Sequence, residues 1–341
     1  MTTSHETVSN EKANRRKRIR IFLAGLGLGF CLLLVIIWST VTQPVFGTIQ
    51  VNQSIPKVQP ARLEAHVRMV SEELGPRDET HPANLDRVAG YIRQEFIQAK
   101  GIVSDQPFEA GGKTYRNVIA LFGPDTKERI VVGAHYDTCK ALPGADDNAS
   151  GVAGLIELGY LLGKAQLPMR VELVAYTLEE PPYFRTKLMG SAIHAASLKK
   201  AGIPVRVMFS LEMIGYFNDA PDSQQYPLAI LKGVYPSKAN FISVVGRLGE
   251  GNLVSKIKEA MLTGSELPVY SINAPATIEG LDFSDHLNYW EAGYSAVMVS
   301  DTSFFRNDRY HTSRDTADTL DYRRMAMVVQ DVYAAVQAVS R

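Results

Sequence analysis

The sequence predicts a three-layer α/β/α sandwich with a central mixed, largely parallel sheet, preceded by one transmembrane helix. Three observations lead to this prediction: an uncharged apolar run near the N-terminus, a later alternation of strand-like and helix-like segments, and polar motifs where strands end. The chain has 341 residues, of which 45% are hydrophobic and 21% charged. That composition is typical of a globular protein and allows one large domain or two small ones.

The apolar run comprises residues 21–41 and contains no charged side chain. At about 1.5 Å per residue, a helix of this length spans roughly 30 Å, the thickness of the hydrocarbon core of a bilayer. The alternative is a cleaved signal peptide, whose apolar region is about 7–15 residues long and precedes a small-residue cleavage site. This run is longer and has no clear cleavage site, so we predict a signal anchor that contacts the lipid bilayer through residues 21–42.

The charge distribution predicts the orientation of this anchor. Residues 1–20 contain six Lys or Arg against two Glu, a net charge of +4, whereas the whole chain is neutral. Basic flanks stay on the cytoplasmic side of a membrane, which predicts a cytoplasmic tail of residues 1–20 and a periplasmic or extracellular domain. A neutral chain gives no indication of nucleic-acid binding. Within the anchor, Gly25 and Gly29 have a helix-pairing spacing that weakly predicts a homodimer; two glycines facing lipid are the alternative.

Residues 43–60 are polar and contain proline, which predicts a linker before a domain of residues 61–341. In this domain, β-rich runs alternate with helical patterns, which favours an α/β sheet with helices on both faces. The predicted strands are residues 117–122, 130–134, 171–177, 205–211, 242–245 and 295–299. The predicted helices are residues 82–100, 152–164, 189–200, 254–262 and 323–339. Much of residues 217–279 has no pattern from which a fold can be derived.

Candidate metal ligands lie where three of the predicted strands end. His135 ends one strand, Glu179 and Glu180 end the next, and Glu212 ends a third. In open α/β sheets, ligands bind outside the carboxyl ends of the strands. A single histidine or carboxylate at such a position is more often structural than metal-binding. Three motifs at three strand ends together indicate one site.

The adjacent glutamates Glu179 and Glu180 are the strongest single indication of a cation. Two like charges at the end of a buried strand repel each other unless a cation stabilises them. One of them can bind a metal while the other transfers protons. Asp147, in a turn, and His311, near the C-terminus, complete a set of imidazoles and carboxylates that suits zinc.

In these motifs the sequence resembles the exported di-zinc aminopeptidases, which are relatives of glutamate carboxypeptidase and glutaminyl cyclase. The resemblance covers roughly residues 85–340. It implies peptide substrates, two zinc ions and a zinc peptidase domain at residues 61–341. The segments that carry the resemblance are Ala134-His135-Tyr136-Asp137, Ala145-Asp146-Asp147-Asn148, Leu178-Glu179-Glu180, Leu211-Glu212-Met213 and Tyr310-His311-Thr312.

The resemblance also implies a role for each residue. Asp147 would bridge two zinc ions, of which His135 and Glu212 complete one. Glu180 and His311 would complete the other. Glu179 would be the general base, and Tyr310 would donate to the oxyanion. Asp137 and Asp285 would orient the ligands.

The sequence departs from the family pattern at Glu212, where aspartate is more common, and at Ser313, where proline usually follows the histidine. Glu212 has one more rotatable bond to order, so the ion held by His135 and Glu212 is expected to be the weaker one. Cys139, close to His135 in the sequence, is a soft donor but is interpreted as a small neighbour rather than a ligand. His286 is interpreted as a lining or core residue.

The leading functional hypothesis is a membrane-anchored zinc exopeptidase of the aminopeptidase type. One alternative is a single-zinc acyltransferase similar to glutaminyl cyclase, because that family shares the His-Tyr-Asp and paired-Glu motifs. The other is a catalytically inactive, receptor-like module on a peptidase scaffold. Loss of a ligand would indicate such a module, and every ligand in the pattern has a counterpart here.

Overall fold

The computed structural model describes residues 3–341, with side chains described for residues 17, 18 and from 20 onward. The first element is a long helix, α1 (Thr3–Thr42). Its segment Arg20–Thr42 is long and apolar enough to cross a membrane, and none of its most apolar stretch is buried against the rest of the protein. The helix predicted before the domain is therefore confirmed. Most of the predicted cytoplasmic tail, residues 1–20, lies outside the described side chains.

Residues 43–59 contain no helix or strand, but they are not detached from the domain. The side chains of Ile55 and Val58 are buried. The backbone N–H of Asn52 donates to the carbonyl of Thr263, and that of Val58 donates to the side chain of Gln330. The segment predicted to be a linker thus lies along the surface of the domain.

The domain contains eight strands that form one sheet. They are β1 (Ile102–Ala110), β2 (Lys113–Phe122), β3 (Arg129–His135), β4 (Arg170–Tyr176), β5 (Val205–Glu212), β6 (Ile242–Arg247), β7 (Val269–Ala274) and β8 (Ala296–Ser300). Their order across the sheet is β1-β2-β4-β3-β5-β8-β6-β7. The β3–β4, β3–β5, β5–β8 and β6–β7 pairs are parallel, and the other three are antiparallel. The predicted mixed sheet is confirmed.

Helices cover both faces of the sheet. They are α2 (Pro60–Arg68), α3 (Pro82–Gln98), α4 (Gly151–Leu162), α5 (Gly190–Lys200), α6 (Gly251–Met261), α7 (His286–Ala292) and α8 (Tyr322–Val339). Successive strand residues point to opposite faces, so Val132 packs in one core cluster and Val131 in another. The first cluster contains residues of α2, α3, α4, α6 and α8, and the second contains residues of α5 and α7. The three-layer α/β/α prediction is therefore confirmed.

Candidate metal centre

The strand-end residues predicted to bind metal meet at one edge of the sheet. His135 is the last residue of β3, Glu212 is the last residue of β5, and Glu179 and Glu180 follow β4 by three and four residues. Strands β4, β3 and β5 are neighbours and run parallel, so their carboxyl ends lie side by side. This is the position where α/β sheets bind ligands.

Asp147 lies between the two histidines of the site. Its Oδ1 is 3.4 Å from Nε2 of His135, and its Oδ2 is 3.0 Å from Nε2 of His311. Asp147 comes from the irregular turn Ala145–Ser150 that precedes α4, and His311 comes from the loop after β8. One carboxylate therefore presents one oxygen to each imidazole.

Each histidine also lies close to a second carboxylate. Nε2 of His135 is 3.4 Å from Oε2 of Glu212, and Nε2 of His311 is 3.2 Å from Oε1 of Glu180. The donor atoms of His135, Asp147 and Glu212 all lie within 4.8 Å of one another. The site thus consists of two half-sites that share Asp147.

The second half-site includes a donor that the sequence interpretation did not count as a ligand. The Cys139 sulfur, Glu180 and His311 also form a group whose donor atoms lie within 4.8 Å of one another. The backbone N–H of Cys139 donates to Oε1 of Glu180 at 2.9 Å. Burial raises the pKa of the Cys139 thiol to about 11, and the charge of Glu180 adds to this effect. Cys139 is therefore a neighbour of this half-site whose thiol is protonated at neutral pH.

These donors fit zinc. Zn–N and Zn–O bonds of about 2.0–2.2 Å in tetrahedral geometry place two ligand atoms about 3.3–3.6 Å apart. The pairs of His135 with Asp147 and with Glu212 are each 3.4 Å apart, within this range, and the pairs of His311 with Glu180 and Asp147 are shorter, at 3.2 and 3.0 Å. Four buried carboxylates also face only two imidazoles, an excess of negative charge that a bound cation would stabilise. These carboxylates are Asp147, Glu179, Glu180 and Glu212.

The pKa shifts report the same electrostatics. Burial alone would lower the pKa of His135, but the charges of Glu212 and Glu179 raise it well above its ordinary value. Burial would raise the pKa of Asp147, but hydrogen bonds with His135 and His311 lower it. Burial, with the charge of Asp147, raises the pKa of Glu180 to about 7. Positive charge is thus stabilised at this point of the protein, as a metal site requires.

Asp137 contacts both the histidine and the glutamate pair. Nδ1 of His135 lies 3.2 Å from the backbone carbonyl of Asp137 and 3.6 Å from its carboxylate. The two carboxylate oxygens accept the backbone N–H groups of Glu179 and Glu180, each at 3.1 Å. Asp137 therefore fixes the turn that carries both glutamates, a contact that sequence reasoning did not foresee.

The segment at the start of α7 supports Glu212. The hydroxyl of Ser284 donates to Oε2 of Glu212 at 2.7 Å. Asp285 is fully buried, and burial raises its pKa to about 7. His286 is also fully buried, and its Nε2 donates to the carbonyl of Leu281. His286 lies outside both donor groups found among the described residues.

Two further candidate residues face the site without joining the donor groups. Oε2 of Glu179 is 3.9 Å from Nε2 of His135, and burial raises the pKa of Glu179 well above its ordinary value. The ring of Tyr310 stacks on that of His311, with centroids 3.8 Å apart. Both residues line the same cavity of about 290 Å³. Both side chains therefore border the space beside the donor groups.

The cavity beside the donors is mainly apolar and aromatic. One end is formed by Asp147, Glu179, Glu180, Glu212 and His311. The remaining walls come from the loops after β4, β5 and β8, from the loop before α7, and from strands β6, β7 and β8. They include Tyr226, Tyr235, Phe241, Val245, Tyr270, Ile272, Phe283 and Met298. Most of these eight wall residues belong to residues 217–279, much of which has no sequence pattern from which a fold can be derived.

Sequence reasoning also missed the role of Asp315. Its two carboxylate oxygens accept the backbone N–H groups of Asp146 and Asp147, at 2.9 and 3.1 Å. It thereby fixes the turn that presents Asp147 to both histidines. Nothing in the local sequence around Asp315 indicated which backbone groups its side chain binds.

The fold and the site together define a class: α/β proteins with metal-binding side chains at the carboxyl edge of a mixed sheet. Within that class, this chain belongs to peptidase family M28, whose model matches residues 117–336. The family resemblance deduced from the motifs is therefore confirmed. Membership in this family supports a metallopeptidase and implies zinc and peptide substrates.

Two curated relatives illustrate the range of the similarity. The chain is 46% identical over 281 residues to the uncharacterized protein YfbL of Escherichia coli K12, covering 80% of this chain and 86% of that one. It is 25% identical over 223 residues to leucine aminopeptidase 1 of Phaeosphaeria nodorum, covering 61% of this chain but only 51% of that protein.

Solved structures share the fold at low sequence identity. A zinc aminopeptidase from Bacillus subtilis superposes with a TM-score of 0.66 at 16% identity, over 83% of this chain and 95% of that one. A glutaminyl cyclase from Bacteroides thetaiotaomicron superposes with a TM-score of 0.64 at 19% identity, over 83% and 99% of the two chains. At these identities the similarity establishes the fold alone.

Proposed function

We propose that this protein is a membrane-anchored, zinc-dependent aminopeptidase that removes N-terminal residues from peptides at a site for two ions. The observation that carries the proposal is the position of Asp147, whose two oxygens face His135 and His311 separately. Each of those histidines has its own second carboxylate, Glu212 or Glu180. A shared carboxylate between two complete half-sites is the arrangement that two cooperating ions need.

In this proposal each residue has one task. His135, Asp147 and Glu212 hold one ion, and Asp147, Glu180 and His311 hold the other. When bound, zinc supplies an acidified water molecule and polarises the scissile carbonyl. Glu179 would accept a proton from the attacking water and donate it to the leaving amine, a role open to it because it is a buried carboxylate that lines the cavity beside the donors.

Tyr310 completes the proposed chemistry. Its hydroxyl would donate a hydrogen bond to the carbonyl oxygen as negative charge develops there. Burial, together with the charges of Asp147 and Glu180, raises the pKa of Tyr310, so it keeps its proton at neutral pH. The stacking of its ring on His311 limits the positions that the hydroxyl can take.

The cavity supports a preference for peptides that begin with a large apolar residue. A free α-ammonium group is attracted by the carboxylates at the cavity end. The side chain of the same residue would contact aromatic walls such as Phe241 and Tyr270. Acidic side chains would lose hydration there and would meet the negative charge of Glu279 and of the site carboxylates.

The alternative is a single-zinc acyltransferase similar to glutaminyl cyclase, because a cyclase superposes almost as well as an aminopeptidase. The full chain in detergent, analysed for bound zinc and assayed on three substrate sets, separates the two functions. The sets are aminoacyl substrates with a free amine, the same substrates with a blocked amine, and glutaminyl peptides. We expect two zinc ions per chain and hydrolysis of the first set only. One zinc ion with cyclisation of glutaminyl peptides would contradict the proposal.

We further propose that α1 anchors the protein with its N-terminus in the cytoplasm and the domain outside. The support is the exposed apolar segment Arg20–Thr42 and the basic residues before it. Protease added to intact cells or spheroplasts should then digest the domain. A domain that is cleaved only after lysis would refute this orientation. Dimerisation through Gly25 and Gly29 remains a sequence prediction.

A further inference from the structure

The end of α1 is bonded directly to the domain. Nζ of Lys258, in α6, donates to the carbonyls of Thr42 and Gln43, each at 3.0 Å. The hydroxyl of Ser271, in β7, donates to the same carbonyl of Thr42 at 2.8 Å. Thr42, Gln43 and Lys258 are all buried. The last turn of the helix is therefore held by two elements of the domain.

These contacts supply hydrogen-bond donors to carbonyl groups at the end of α1. The final carbonyls of a helix have no partner within it and carry partial negative charge, so a cation there is stabilising. Burial lowers the pKa of Lys258 to about 8, so the side chain is still mostly protonated at neutral pH. Lys258 thus caps α1, and this junction fixes the direction in which the helix leaves the domain.

Exposed apolar side chains lie beside the same junction. Phe46 is 82% exposed, and its ring meets that of Trp38 edge-on with centroids 6.4 Å apart. Leu248 is 51% exposed and lies in the turn between β6 and α6. Gly251, at the other end of that turn, is approached by the side-chain amide of Gln43. Phe46 and Leu248 are thus exposed apolar side chains on the two segments that adjoin the helix exit, a surface suited to contact with something apolar.

A third exposed apolar residue, Ile230, lies in a segment that is followed by a hydrogen bond to strand β7. Ile230 is 75% exposed and belongs to the short helical segment Ala229–Gly233. Shortly after that segment, the hydroxyl of Tyr235 donates to the carbonyl of Ser271 at 2.7 Å. Ser271 in turn holds Thr42, so one residue of β7 connects this segment to the end of α1.

We propose that the exit face, defined as Phe46, Ile230 and Leu248, rests on the surface of the lipid bilayer and holds the domain there in one orientation. The inference rests on the proposed anchoring by α1. The lipid is the occupant because the apolar helix ends at Thr42, so the membrane boundary lies at the residue that Lys258 and Ser271 bind. Apolar side chains at that level insert among headgroups as interfacial residues do.

The orientation has a consequence for the candidate active site. Tyr270 and Ile272 line the cavity, and Ser271 between them binds the end of α1. The wall of the cavity and the anchor therefore share one strand. The opposite edge of the sheet, β1, is seven strand spacings away, about 33 Å at ~4.8 Å per spacing. Peptides at the membrane surface would therefore have a shorter path to the cavity from the β7 edge of the sheet than from the β1 edge.

Lipid quenching of single labelled cysteines tests the exit face in the full chain. Cys31 and Cys139 are first replaced by serine, and Phe46→Cys, Ile230→Cys, Leu248→Cys and Ile102→Cys are each introduced and labelled with a fluorophore. The protein is placed in phosphatidylcholine nanodiscs that contain a lipid with a quencher near its headgroup. Ile102 is the matched control, because it is 67% exposed and apolar but lies in β1. We expect labels at 46, 230 and 248 to lose most of their fluorescence and the label at 102 to lose little.

The label at 46 separates this inference from the anchoring on which it rests. Quenching at 46 with labels at 230 and 248 no more quenched than that at 102 would overturn the exit face and leave the anchor intact. No quenching at any position would overturn both. A label at 248 that is shielded from water but not quenched would indicate a second protein copy as the occupant and would also overturn the inference.

A second variant tests the cap. Lys258→Met keeps an unbranched side chain one atom shorter but removes its hydrogen bonds to Thr42 and Gln43. We expect quenching at 248 to fall while quenching at 46 stays, since the helix remains in the membrane. Lys256→Met, on an exposed position of the same helix, is the control and should change neither. Unchanged quenching at 248 in Lys258→Met would show that Lys258 does not orient the domain.

Discussion

The hydroxyl of Ser284 donates a hydrogen bond of 2.7 Å to Oε2 of Glu212, and the same hydroxyl lies 2.8 Å from that of Ser210. Glu212 has one more rotatable bond than the aspartate that is more common at this position, and ordering that bond costs conformational entropy. Ser284 restricts this freedom before any ion binds. From the structure, we therefore expect the half-site of Glu212 to bind its ion more tightly than its longer side chain alone would suggest.

Replacing Glu212 or Ser284 should weaken the binding of only one of the two ions, the one held by His135, Asp147 and Glu212. Glu212→Ala should lose one zinc ion per chain and most activity, because it removes a donor. Ser284→Ala should leave the donors His135, Asp147 and Glu212 in place. It should weaken the binding of the same ion by about 10–100-fold, the usual cost of losing a group that orients a ligand. Zinc content during graded chelation measures both effects.

Ser104→Ala, on an exposed position of β1, is the control for Ser284→Ala and should leave the chelation curve unchanged. If Glu212→Ala retains two zinc ions and normal turnover, Glu212 is not a ligand and the proposed site is wrong. If chelation of the wild type removes the Glu212 ion first, the expectation from the sequence holds and Ser284 does not offset the longer side chain.

Glu179→Gln should keep both zinc ions and lower kcat by about 10²–10⁴-fold. The amide has nearly the same shape as the carboxylate but cannot accept and return a proton. Zinc content and steady-state kinetics on an aminoacyl substrate check this. Glu266→Gln, which changes an exposed glutamate that does not line the cavity, should have wild-type kinetics. Loss of zinc together with activity in Glu179→Gln would make Glu179 a ligand rather than the base.

Asp137→Asn should disturb both glutamates at once. The carboxylate of Asp137 accepts the N–H groups of Glu179 and Glu180, and an amide would direct its own N–H₂ group at one of them. We expect about a 10–100-fold loss of zinc affinity or of kcat/KM. Asp222→Asn, on an exposed turn, is the matched control. Unchanged zinc binding and kcat/KM in Asp137→Asn would show that this turn keeps its shape without the carboxylate.

A buried ion pair away from the site predicts part of the acid sensitivity of the domain. Burial alone would raise the pKa of Glu172, but bonds with His194 and Arg129 hold it below its ordinary value of 4.5. The folded state therefore binds this proton less readily than the unfolded chain does. The stabilising contribution is fully present above about pH 4.5 and is lost as the pH falls through the lower pKa of the folded state.

Glu172→Gln should lower stability at pH 7 by on the order of 3 kcal/mol, because it leaves Arg129 without its charged partner. The difference in Tm between variant and wild type should shrink as the pH is lowered below 4.5. Thermal unfolding between pH 7 and pH 3 measures this, with Glu109→Gln on the exposed edge of the sheet as the control. A difference that is constant over this range would show that Glu172 has no lowered pKa.

Four of the six site residues were accessible from the sequence because they follow a local rule, whereas the roles of Asp147 and His311 were assigned through the family resemblance. His135 and Glu212 end runs of β-rich residues, and Glu179 and Glu180 follow another such run. Strand ends at one edge of a parallel arrangement meet in space, so the pattern along the chain was enough to bring these residues together. The anchor was accessible for the same reason, since length and hydropathy are local properties of residues 21–41.

The tertiary structure alone decided the contacts that cross long distances in the sequence. Ser284 meets Glu212, Asp315 meets Asp147, and Lys258 meets Thr42, and no local period relates the partners of any of these pairs. Strands β1 and β7 were not predicted. Both are edge strands with exposed or half-exposed positions, and the neighbours of β7, Thr42 and Tyr235, come from distant segments. The sequence by itself thus determined which side chains could bind metal and which segment could span a membrane. Only packing decided how the ligands are oriented, what lines the cavity and how the anchor joins the domain, because those properties depend on which surfaces meet when the chain folds.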